Sequence, residues 1–177
     1  TLLFYCALGQ AFNIFLGMTG YVDFGYVAFL GMGTYGMATA ITGLARYPEL
    51  GMGIIVIGFL LALVMATLLS MAVGAVALRL RGAYFAIATI GVNEGFRFLI
   101  EGANLWNGSA GMIFTAELNE ILGRDLASRF MTFWADVLVL VIAALAAVVT
   151  LLYMKSKIGY ALTALREDED AAKVMGI

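Results

Sequence analysis

The sequence predicts an all-α polytopic membrane protein, on two observations. Charged residues make up 12% of the 177 positions, where soluble domains carry about 25%. Apolar residues make up 63%, mean hydropathy is +1.00, and the apolar positions are gathered into runs long enough to cross a bilayer core of about 30 Å. A soluble globule cannot cover itself with so few charges, so this apolar surface belongs in the lipid bilayer.

The segments follow in chain order. Residues 2–18 form the first run, in which Gly9, Asn13 and Gly17 repeat at helical spacing beside Gln10. A small and polar stripe on a membrane helix marks a seam for another helix, so Gln10 and Asn13 are expected to hydrogen-bond between helices. The second run, 24–44, carries Gly25, Gly31, Gly33, Gly36 and Gly43. Such a backbone either approaches its neighbours closely or breaks. Asp23 precedes this run and is expected to cap it, with lining of an entrance as the alternative. The stretch "ARYPEL" is a polar turn around Pro48. Residues 54–78 carry no charge and end at Arg79 and Arg81.

The fourth run, 83–100, is apolar on one side but holds Asn93, Glu94 and Arg97, with Glu101 at its end. Ionisable groups at membrane depth must face protein or water. Glu94, Arg97 and Glu101 share one helical face. They either line a translocation path or form a structural ion pair joining helices, with Glu101 at the interface and Glu94 and Arg97 spaced to satisfy each other at i, i+3. A zwitterionic ligand would need both signs of charge or helix termini. Residues 103–130 form a polar connection in which Leu118, Ile121, Leu122, Leu126 and Phe130 follow a helical period. That pattern predicts one amphipathic helix on the membrane surface. The last run, 133–154, has Trp134 near one interface and Tyr153 near the other, and Lys155 and Lys157 follow it.

Basic residues orient these segments. Arg79 and Arg81 and then Lys155 and Lys157 lie two crossings apart, hence on one side, and the positive-inside rule makes that side cytoplasmic. The 103–130 connection is then external. Net charge is −2, with no histidine and a lone cysteine, Cys6. This excludes a nucleic-acid partner, a disulfide framework and a His/Cys metal or nucleophile site. No catalytic constellation and no cofactor bound by the chain itself are expected.

The chain closes on "ALREDEDAAKVMGI", a charged segment on the cytoplasmic side. The pattern suits two short helices with a charged bend. Small alanines fit such a helix to a partner's groove, where Ala171, Ala172, Val174 and Met175 make the buried contacts and charges set the register. The alternative is a solvated linker.

Three stretches together resemble the permease subunits of bacterial ABC importers for branched-chain amino acids. They are "NIFLGMTGYVDFGYVAFLGMGTYG", "LRLRGAYFAIATIGVNEGFRFL" and "SKIGYALTALREDEDAAKVMGI", in the family's order. The external loop departs from the family's Thr-Gly-Gly pattern and reads "NGSAG".

The resemblance implies a permease helical bundle, of which residues 1–177 are a partial transmembrane domain lacking C-terminal helices. It implies ATPase coupling through Arg166, Glu167, Asp168, Glu169, Asp170, Ala171, Ala172, Met175 and Gly176. Asn13, Asp23, Asn93, Glu94 and Arg97 are candidates for the translocation path. Implied partners are cytoplasmic ATPase subunits holding ATP and Mg2+, a second permease subunit, an external substrate-binding protein and the lipid bilayer. The expected location is the bacterial cytoplasmic (inner) membrane. Relatives carrying urea or short amides share the motifs. A secondary transporter or channel subunit is the reading from another class, and it would call for inverted repeats and intramembrane coupling carboxylates.

Overall fold

The structure is a computed structural model and describes residues 2–168 together with Ala172 and Val174, the side chain of residue 48 excepted. The described residues are helical, with no strand. The helices are α1 (Leu2–Thr19), α2 (Tyr26–Leu44), α3 (Gly53–Ala77), α4 (Ala83–Gly102), α5 (Thr115–Leu122), α6 (Arg124–Arg129), α7 (Ala135–Met154) and α8 (Lys157–Glu167). Short 3-10 turns occupy Pro48–Leu50 and Leu105–Ala110, and a π-helical turn, Phe130–Trp134, leads into α7.

Among the described residues, Leu2–Thr19, Tyr26–Leu44, Gly53–Ala77 and the helical stretch Arg124–Met154 are long and apolar enough to cross a membrane. The segment expected over 83–100 forms α4, whose 20 residues reach about 30 Å at the helical rise. Its charges keep it out of the apolar set. Much of α3 and α7 is uncovered, as Leu68, Val76 and Leu152 show. In water such surface would associate, whereas lipid tails match it.

The chain divides into two compact units. One combines Thr1–Asp23 with Thr132–Ile177, and the other is Phe24–Met131. In the first, α1 packs along α7 and α8 packs on both. Gln10 Nε2 donates to Thr150 Oγ1 at 3.1 Å, and that hydroxyl donates to the Ala146 carbonyl. The polar seam read at Gln10 is therefore an inter-helix hydrogen bond.

In the second unit, α2 and α3 are the most closely packed pair. The glycine run does not break α2, which continues unbroken from Tyr26 to Leu44. Close approach accounts for Gly36, where an added Cβ would lie 2.7 Å from the Ala62 Cα. Gly33 has open space instead, so packing does not require it. The N-cap of α2 is Gly25, without a side-chain cap bond. Asp23 lies two residues ahead of this cap position. The start of α2 is served from a distance: Phe24 N–H donates to Thr89 Oγ1 on α4 at 3.1 Å. Thr89 is 1% exposed and its hydroxyl donates to the Ala86 carbonyl, so both hydrogen-bonding capacities of the buried group are used.

The connection after α4 also differs from expectation. Gly123, at φ +78°, divides the anticipated single helix into α5 and α6. That backbone region is costly for residues with a Cβ. The apolar face also finds a protein partner. Leu118 and Ala127 are buried with Ile41 of α2 and Ile54 of α3, and Leu44, Ile121 and Phe130 pack around them. The periodicity is real, but the partner of the apolar face is the end of the α2–α3 pair.

Candidate functional site

The chemistry-bearing side chains fall into two places, one in each unit. In the Phe24–Met131 unit they sit on the second half of α4. Arg97 Nε donates to Glu101 Oε1 at 3.1 Å. Its Nη1 lies 4.0 Å from Glu94 Oε2, an ion pair too long to be a hydrogen bond. The expected Glu94/Arg97 pair is thus the looser arm of a trio whose tighter arm is Arg97–Glu101. The i, i+4 spacing of Glu101 was the signal for it.

These side chains border an open groove of about 350 Å³. One wall is α2, with Val27, Gly31 and Tyr35, and the other is α4, with Asn93, Phe96 and Ile100. Gly108 and Ser109 of the following turn close one end. That turn holds three non-glycine residues at positive φ, Asn104 (49°), Trp106 (49°) and Asn107 (70°). Such a cluster is strained and needs support from its surroundings. Trp106 supplies it. Its ring stacks on Tyr35 at 4.9 Å, and Nε1 donates to Thr39 Oγ1 at 2.9 Å. Nothing in the spacing of the sequence marked Trp106 for this role.

In the other unit, the segment after α7 is built as a sharp corner. Ser156 caps α8 by accepting from Gly159 N–H at 3.1 Å, which satisfies one orphan donor of the first turn. Gly159 is buried, and a Cβ there would run into the Tyr153 backbone carbonyl. Further along, Arg166 Nη1 donates to the Gly17 carbonyl at 2.8 Å. Gly17 is in the last turn of α1, where carbonyls lack helical partners and a cation is favoured by the helix dipole.

Asp168 is the C-cap of α8, in an extended conformation (φ −155°, ψ 107°). Ala172 and Val174 have helical backbone. Ala172 is 1% exposed, whereas Val174 is 88% exposed. Ala172 is thus buried within its own chain. Of these two described residues, Val174 is the exposed one.

The remaining expected site residues are placed as follows. Asn13 is on α1 with Gly17 beside its amide oxygen, and Asp23 follows α1. Both belong to the unit of α1, α7 and α8. Asn93, Glu94 and Arg97 come together in the α4 groove. Arg166 and Glu167 end α8. Glu169, Asp170, Ala171, Met175 and Gly176 lie outside the described residues.

Helices long and apolar enough to cross a membrane, with an ionisable groove between two helices and a capped amphipathic helix directly after a span, define a multi-pass membrane protein. The chain belongs to the family described as branched-chain amino acid transport system / permease component, which it matches over residues 1–177. Among curated proteins it is similar to the high-affinity branched-chain amino acid transport system permease protein LivM of Salmonella typhimurium (strain LT2) and to that of Escherichia coli (strain K12). It is 31% identical to each over 199 aligned residues, which cover 99% of this chain and 44% of each relative. The chain thus spans less than half the length of these relatives. No solved structure matches it.

Proposed function

We propose that this chain is membrane-spanning permease sequence of an ATP-driven ABC importer that moves branched-chain amino acids inward across the bacterial cytoplasmic (inner) membrane. The family match over the whole chain carries the reading. In this reading the chain does no chemistry. ATP and Mg2+ are held by cytoplasmic ATPase subunits, an external binding protein delivers the substrate, and a second permease subunit completes the pathway. The test is ATP hydrolysis by the purified importer. A binding protein loaded with leucine is expected to stimulate it, and stimulation by urea instead would overturn the substrate assignment.

The α8 corner and the residues after it form the ATPase-coupling segment in this reading. Arg166 holds α8 to the end of α1, so movement of the docked segment reaches a membrane helix directly. Glu167, Asp168, Ala172 and Val174 are the described residues beyond that tie, and Val174 is the exposed apolar one. Val174→Glu is expected to reduce co-purification of the ATPase without altering membrane insertion, because a carboxylate in an apolar contact pays desolvation without a partner. Unchanged co-purification and transport would favour a solvated linker.

The orientation follows the basic residues. Asn107→Cys and Lys155→Cys, each in a Cys6→Ser background, are expected to react with an impermeant thiol reagent from opposite sides. Lys155 is preferred to Ser156 as a labelling position because Ser156 caps α8. Labelling of both positions from one side would end the external assignment of residues 103–130.

A further inference from the structure

We propose that the groove beside α4 binds a zwitterionic aliphatic amino acid, with Arg97 taking the carboxylate, Glu94 taking the ammonium, and Val27, Gly31 and Ile100 facing the side chain. The inference rests on the importer reading above and names where this chain meets its cargo.

The trio is arranged unevenly, and the unevenness decides the assignment. A guanidinium carries five N–H donors, and its paired outer edge matches a carboxylate in two parallel bonds. Glu101 engages Arg97 through Nε, which orients the guanidinium and leaves the Nη1/Nη2 edge for a second carboxylate. Glu94 stands at 4.0 Å from Nη1, beyond hydrogen-bonding distance. An α-amino acid carries its two charges on neighbouring groups. Placed between Arg97 and Glu94, it exchanges one loose ion pair for charge-assisted bonds to both residues. Glu101 is then a positioning residue, acting through Arg97.

The rest of the groove suits the same ligand. Its volume of about 350 Å³ falls in the range of small-molecule sites, and its apolar walls with a few converging polar groups fit the usual make-up. A Cβ on Gly31 would meet Phe96 at an ordinary contact distance of 3.9 Å, so that stretch of wall accepts an added group without displacing a neighbour. The strained turn at Asn104–Asn107, fixed by Trp106 on Tyr35 and Thr39, sets Gly108 and Ser109 at the rim. Strain held in this way beside a pocket is a feature of ligand clamps.

The test uses the full-length permease in its assembled importer, with Ser109→Cys in a Cys6→Ser background. Ser109 is exposed at the groove rim, so its labelling by a thiol reagent reports occupancy. At saturating L-leucine the labelling is expected to slow by about tenfold, as mass action requires when most sites are filled. L-leucinamide, which lacks the carboxylate, and 4-methylpentanoate, which lacks the ammonium, are expected to give little protection. Replacing Glu94, Arg97 and Glu101 together by Gln is expected to abolish protection by leucine in a complex that still assembles. Gly31→Val is expected to preserve protection by alanine while weakening that by leucine.

Equal protection by leucine and leucinamide, or none by leucine, overturns the site. Transport of leucine by the same unmodified complex is measured in parallel. Intact leucine transport without protection removes the site and leaves the importer reading standing. Transport of urea instead of leucine removes the substrate assignment itself.

Discussion

Gly159→Ala is expected to abolish coupled transport while leaving membrane insertion and the assembly of α1 with α7 intact. The added Cβ has no room. Besides the Tyr153 carbonyl oxygen it would meet the carbonyl carbon of the same residue at 2.7 Å and the Met154 Cα at 3.2 Å. These are backbone atoms, which cannot rotate away as a flexible side chain can. Relieving the overlap means moving the start of α8 off the end of α7, at a cost of about 1–3 kcal/mol typical of overpacking. That movement also draws Gly159 N–H away from its Ser156 cap. Gly95→Ala is the control, because a Cβ there meets nothing within 4 Å. Substrate-stimulated ATP hydrolysis and transport, measured on both variants, check the expectation. Normal coupling in Gly159→Ala would show that the tight corner is not needed to transmit motion.

This corner explains why part of the fold was legible in the sequence and part was not. Long apolar runs specify spans through hydropathy alone, because lipid asks only for length and apolarity. The runs ending near Leu44 and Met154 therefore appear as helices ending there. Gly159 gave no such signal. Its requirement is steric and comes from residues folding back over it, which no local pattern encodes. Thr89 shows the same limit. Nothing local to Phe24 marks Thr89, far along the chain on α4, as the acceptor of its N–H. The periodicity through Leu118 and Phe130 was sound as a helical signal, but it cannot say whether an apolar face meets lipid or protein. Here Ile41 and Ile54 supply the protein.

The groove was half legible for a similar reason. The spacing of Glu94, Arg97 and Glu101 places them on one helical face whatever else happens. Which carboxylate Arg97 prefers depends on rotamers, and the structure favours Glu101. The opposite wall and the strained turn carrying Trp106 are tertiary features. They turn a stripe of charges into a concave site.

Neutralising the whole trio is expected to separate the structural from the transport role of these charges. Arg97→Gln alone leaves Glu94 and Glu101 on one face without a cation, and like charges along a helix repel. In a membrane setting uncompensated carboxylates are disfavoured further, so this variant is expected to assemble poorly. Replacing Glu94, Arg97 and Glu101 together by Gln removes every charge and keeps side-chain length. Assembly is expected to recover, since no unpaired ion remains. Leucine transport is expected to stay at least about tenfold below normal, the size of effect that follows loss of one or two bonds to a charged group. The measurements are the yield of the assembled complex and the rate of leucine uptake in proteoliposomes. A triple variant that assembles and transports normally would make the trio an internal ion cluster with no part in handling substrate. One that assembles but does not transport leaves the charges facing the cargo, because their mutual compensation is no longer at issue.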